Sequence, residues 1–187
     1  MKKDILIQEI TKTGVMLYEK NYIYASNGNM SVRIDNDILI TAEGSCKNEL
    51  RPKDILTVNP NGKATKGEPS IELWMHLGIY KVRKDVNAVI LAHPLFTNLI
   101  GIQPGALNLD ALPTMEKNLK DVDFIPNIKA GSVELAKAVC KTIEKNDIVV
   151  IHRYGTVTVG TNLSDARFKL ERLEYLSKFL VFKQIIF

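Results

Sequence analysis

The chain has 187 residues, with 25 Lys and Arg against 21 Asp and Glu, a formal net charge of +4 and only three histidines. That length suits a single domain over 1–187, and the 45% apolar and 25% charged fractions exclude disordered, collagen-like and disulfide-scaffold readings. The small basic excess is dispersed; its longest cluster, Lys81-Val82-Arg83-Lys84, reads as a solvated helix end, so no nucleic-acid partner is expected.

Asp4, Gln8 and Glu9 interrupt any secretory signal behind Met1-Lys2-Lys3, and no apolar run approaches the ~20 residues of a membrane span. From Asp4 to Lys20, the spacing of Ile7, Ile10, Gly14, Leu17 and Tyr18 predicts an amphipathic helix. Short runs at 37–41 and 55–59, the second closed by Asn59-Pro60-Asn61-Gly62, predict strands of a meander. Ser70 is placed to cap a helix running to about Arg83, in which Glu72, His76 and Tyr80 recur every four residues and share one face. Val86 to His93 reads as a buried strand stopped by Pro94, and Ser132 to Lys145 as a capped helix. An apolar strand over 147–153, a turn at Gly155 and alternating Thr and Val over 156–159 predict a hairpin. Ser164 then opens a last helix through Ala166, Leu170, Leu173, Leu176 and Leu180. Interleaved helices and strands with hairpin signals give an α/β fold with a largely antiparallel sheet covered by helices. The apolar tail, Phe179 to Phe187, packs either on its own core or in a subunit interface.

The sequence contains no Gly-x-Gly-x-x-Gly, Gly-x-x-x-x-Gly-Lys or Gly-x-Ser-x-Gly segment, which leaves dinucleotide, P-loop and hydrolase-elbow chemistry without support. Cys46 and Cys140 form no Cys-x-x-Cys pair, so a cytoplasmic protein is expected. Ser26-Asn27-Gly28-Asn29-Met30-Ser31 either presents N–H groups to an anion or is a turn before a strand. Glu72 is either a surface acid at a helix start or a base, and His93 either a core histidine or part of a site. His152 and Tyr154, two apart on a strand, project to one side of the sheet.

Taken in order, Ser26-Asn27-Gly28-Asn29-Met30-Ser31-Val32-Arg33, Ile38-Leu39-Ile40-Thr41 with Gly44, Pro69-Ser70-Ile71-Glu72 with His76 and Tyr80, and His152-Arg153-Tyr154-Gly155 resemble the class II aldolase/adducin family, in particular fuculose-phosphate-type aldolases. The resemblance implies a three-layer α/β/α sandwich with a largely antiparallel central sheet, assembled as a homotetramer. It also implies a lyase performing metal-assisted retro-aldol cleavage of a small sugar or sugar phosphate. A divalent metal, typically zinc, is held there by three histidines and polarises the substrate carbonyl. Carried across, the acid/base is Glu72, Asn29, Gly44 and Ser70 line the substrate end, and His93 is a metal ligand. Leu91 and Tyr154 stand where two ligand histidines are expected, Ile71 replaces a second serine, and Glu43 replaces a threonine before Gly44. An ionised Glu43 repels a phosphate dianion by about 1 to 4 kcal/mol at contact. Glu72, His93 and His152, with a Tyr154 phenolate, form one three-ligand set; the alternative is a family member without a metal site, serving a binding or scaffolding role. His76 is read as structural.

Overall fold

The computed structural model describes residues 2–112, 119 and 122–186. Among them, α1 (Lys2–Glu19) leads into the meander β1 (Asn29–Ile34), β2 (Asp37–Thr41) and β3 (Ile55–Val58), followed by α2 (Leu73–Val82), β4 (Ala88–Ala92) and α3 (Leu95–Ile102). The chain continues through β5 (Val122–Ile125), α4 (Val133–Ile143), the hairpin β6 (Ile148–Ile151) and β7 (Gly155–Gly160), and ends in α5 (Leu163–Ile186). The seven strands form one sheet in the order β3-β2-β1-β4-β7-β6-β5. Only the β5–β6 pairing is parallel.

Successive strand residues point to opposite faces, and both faces here are apolar. Ile38, Ile40, Val89, Leu91, Val149 and Val157 join α2 and α4 through Met75, Ile79, Leu135 and Val139. Leu39, Ala88, Ile90 and Ala92 point the other way, to Ile10 and Leu17 of α1 and Leu163 and Leu170 of α5. Each fully buried Leu or Ile contributes roughly 1.5–3 kcal/mol of transfer free energy, so the expected α/β/α sandwich is held by two apolar layers. None of the described helices is long and apolar enough to cross a membrane.

The differences from the sequence reading lie at element ends. The helix expected from Ser70 begins at Leu73 with Glu72 at the cap position, and Ser70 Oγ instead accepts from the Glu72 N–H at 3.3 Å. Glu72 is 2% exposed, so it is no surface acid. Asn162, rather than Ser164, caps α5 by accepting from Asp165 N. The strand expected to reach Arg153 stops at Ile151; residues 152–154 form a turn with Arg153 at φ 55°, so strand alternation does not relate His152 to Tyr154. Helix α3 and strand β5 were not anticipated. Helix α3 is pinned from another element: the buried Glu174 carboxylate of α5 accepts from Phe96 N and Thr97 N, at 3.0 and 2.7 Å, and from Thr97 Oγ1. In the tail, Leu180 is buried while Phe179, Phe182, Ile185 and Ile186 are exposed; Phe187 lies outside the described residues.

Candidate active site

The loop after β2, the start of β1, the segment before α2 and the end of β4 enclose a polar cavity of about 100 Å³. Of the residues anticipated from sequence, Asn29, Gly44, Ser70 and His93 line it, together with Glu43, Lys47, Leu91 and Tyr154. Glu72 stands directly behind: its Oε1 accepts from the Tyr154 hydroxyl at 2.7 Å and from Gly131 N at 2.8 Å. His152 is not in the lining; it sits in the turn after β6 with a buried Nε2 that has no hydrogen-bond partner.

Burial, and then the adjacent Glu72 carboxylate, push the Tyr154 phenol well above its usual range. Tyr154 is therefore a neutral donor to Glu72, which removes the phenolate from the ligand set read from sequence. His93 Nδ1 lies 2.7 Å from the Tyr154 carbonyl; a carbonyl only accepts, so Nδ1 carries the proton and Nε2 keeps its lone pair. Burial, and secondarily Lys47, lower the His93 pKa against the raising effect of that carbonyl. Gly155 permits the approach, since a Cβ there would meet Ala92 O at 2.6 Å and His93 Nδ1 at 2.9 Å.

His76, set aside as structural, orients the cavity's amide. Its ring is fully buried, with Nε2 2.7 Å from Asn29 Oδ1 and Nδ1 2.6 Å from Ser31 Oγ, which in turn lies 2.8 Å from the Tyr80 hydroxyl. Asn29 Oδ1 can only accept, so Nε2–H donates and the Asn29 NH₂ group is left to the cavity. Burial pushes the His76 pKa down to about 3, which keeps this neutral tautomer throughout the ordinary pH range.

The sequence reading passed over Lys47. Its side chain is 1% exposed, and Nζ donates to Ser26 O at 2.8 Å and to Ser45 O. Helix α1 presses on this loop: a Cβ on Gly14 would meet Lys47 O at 2.3 Å. The only sequence signal was a lysine three residues after Gly44, which no periodicity distinguishes from a surface lysine. Glu43 closes the other side, its Oε2 accepting from Ile71 N at 2.9 Å.

These residues do not fit a metal ion held by three protein ligands. Leu91 is a buried hydrocarbon, the Tyr154 phenol is protonated and committed to Glu72, and of the two histidines with an unpartnered ring nitrogen only His93 belongs to the cavity wall, His152 lying outside it. Among the described residues, no group of three or more His, Cys, Asp or Glu side chains is placed to hold an ion. A larger groove of about 510 Å³ opens between Trp74 and Lys81, but Arg33 on its wall donates to the carbonyls of Tyr80, Arg83 and Val86 and so serves the fold.

A mostly antiparallel sheet between helical layers, with a buried carboxylate, a phenol and an imidazole gathered at a small polar cavity, defines an α/β scaffold of the aldolase type. Residues 8–181 match the class II aldolase and adducin N-terminal domain. The chain is 35% identical to the L-fuculose phosphate aldolase of Methanococcus vannielii, over 92% of this chain and 93% of that protein. It is 29% identical to the 3-oxo-tetronate 4-phosphate decarboxylase of Cupriavidus necator, over 92% and 82%. The crystal structure of L-fuculose-1-phosphate aldolase from Thermus thermophilus superposes with a TM-score of 0.86 at 24% identity, covering 96% of this chain and 94% of that one. This chain belongs to the class II aldolase and adducin family.

Proposed function

We propose that this protein is a carbon–carbon lyase that cleaves a small sugar-derived hydroxy-carbonyl compound, and that Tyr154 and Glu72 move the proton. The observation that carries the reading is the 2.7 Å hydrogen bond from the Tyr154 hydroxyl to buried Glu72 at the cavity wall. As the substrate hydroxyl gives its proton to the phenol oxygen, the phenol proton passes to Glu72. The C–C bond then breaks, an aldehyde leaves, and its electron pair enters the remaining carbonyl fragment as an enolate. Return of the proton to carbon completes the cleavage. The Asn29 amide and the Ser70 hydroxyl bind the carbonyl end, and His93 fixes the Tyr154 backbone. Relatives named as an aldolase and as a decarboxylase support the class, because both reactions leave an electron pair on carbon beside a carbonyl.

The divalent ion implied by the sequence resemblance is not part of this reading, because the side chains do not fit it. The homotetramer is carried by the family resemblance alone; the exposed apolar side chains of Leu95, Leu99, Phe179 and Phe182 support self-association without fixing the number of copies. Leu91 at a ligand position favours a second reading, a non-catalytic binding protein of the same fold. Release of aldehyde from L-fuculose 1-phosphate and from four-carbon sugar acids, followed by coupled reduction, separates the two. The lyase reading expects turnover that Glu72→Gln abolishes; no turnover of any of these compounds by well-folded protein leaves the binding reading.

A further inference from the structure

We propose that Lys47 is the anion-binding cation of this cavity, and that the group it takes is the carboxylate of a small hydroxy or keto acid. Lysines are almost never fully buried unless paired, because an unpaired buried charge is costly. Lys47 is 1% exposed, and among the described residues no carboxylate lies within ion-pair distance of its Nζ. An ammonium has three N–H donors. Two go to the Ser26 and Ser45 carbonyls, and none of the described residues accepts the third, on a side chain that lines the cavity. The Asn29 NH₂ group is likewise left over by the His76 bond. The cavity wall therefore holds one buried cation with a spare N–H and one uncommitted amide group, which is the chemistry of an oxyanion site.

Charge selects among oxyanions. Glu43 lines the same cavity and has already taken the Ile71 N–H with its own carboxylate. Lys47 and Glu43 offset each other, so a phosphate dianion leaves an uncompensated double negative charge beside Glu43, whereas a monoanionic carboxylate adds one. Burial pushes the Lys47 ammonium down to about 8, which leaves it charged at neutral pH.

This inference narrows the substrate class of the lyase reading, but it is tested by binding without turnover, so loss of binding and loss of cleavage are separate results. The probes are glycolate and inorganic phosphate, titrated at pH 7 and followed by amide chemical shifts in the wild-type chain, Lys47→Met and Glu43→Gln. Glycolate is expected to bind wild type at least tenfold more tightly than phosphate. Lys47→Met should weaken glycolate at least tenfold, and Glu43→Gln should strengthen phosphate at least tenfold. Glycolate binding by Lys47→Met within twofold of wild type overturns the assignment, as does phosphate binding to wild type as tightly as glycolate. Should Lys47→Met fail to fold, wild-type glycolate affinity across pH 7 to 9.5 decides. The other titratable groups facing Lys47 are Glu43, Cys46 and His93; affinity should fall at least tenfold over that range, and a flat profile overturns the proposal.

Discussion

A cation held in a buried cavity for binding destabilises the fold, and the size of that effect follows from Lys47. In the unfolded chain the ammonium keeps its proton to about 10.5; in the folded chain burial lowers that to about 8. Between these values the unfolded state binds more protons, so the contribution of Lys47 to stability rises with pH. The gap corresponds to about 3 kcal/mol, a penalty fully present below pH 8 and removed as pH rises to 10.5. Lys47→Met has no such proton. Urea unfolding of both proteins at pH 7, 8, 9 and 10 isolates the effect, because every other titrating group cancels in the difference. Wild-type stability minus variant stability should climb by about 2.5 kcal/mol from pH 7 to 10, most of it above pH 8. A difference that changes by less than about 1 kcal/mol would refute the premise that the charge is buried without a partner.

Tyr154→Phe keeps the ring and removes the donor to Glu72; cleavage should fall by roughly 10²-fold or more with circular dichroism unchanged, and full activity would remove Tyr154 from the proton path. The double variant Leu91→His, Tyr154→His should hold about one zinc per chain after dialysis, while wild type holds none; stoichiometric zinc in wild type by elemental analysis would show that the ligand geometry was misjudged. Glu174→Ala strands the buried N–H groups at the start of α3 and should cost about 2–4 kcal/mol in chemical denaturation, with a loss under 0.5 kcal/mol contradicting the pinning role. Replacing exposed Ile185 and Ile186 with lysine should lower the solution mass measured by sedimentation, and an unchanged assembly would count against an interface at the α5 tail.

The parts legible from sequence were those written in local periodicity. The α1 face, the β2–β3 meander, the Ser132 cap and the Thr-Val alternation of β7 each carry their signal within a few residues, and the ordered motifs carried the family. Helix α3 was illegible because its N-terminus is capped by Glu174, more than seventy residues away. Local features left Glu72 open between a surface acid and a base, because helix position says nothing about burial, and only the ordered motifs named it as the acid/base. Tyr154 and His152 were paired by an alternation that the turn at 152–154 cancels. Lys47 was invisible for a related reason: its burial is decided by the carbonyls of Ser26 and Ser45 and by the contact of Gly14, none of which a lysine announces by its spacing.

That last contact places part of the cavity under remote control. Gly14 lies in an 18-residue helix none of whose residues lines the cavity, yet its bare Cα is what lets the Lys47 backbone settle against it. Any side chain at position 14 would lever the loop outward and carry the ammonium with it while leaving every wall residue chemically intact. Variation in the first helix thus offers this scaffold a dial on ligand preference that an inventory of cavity residues would never reveal.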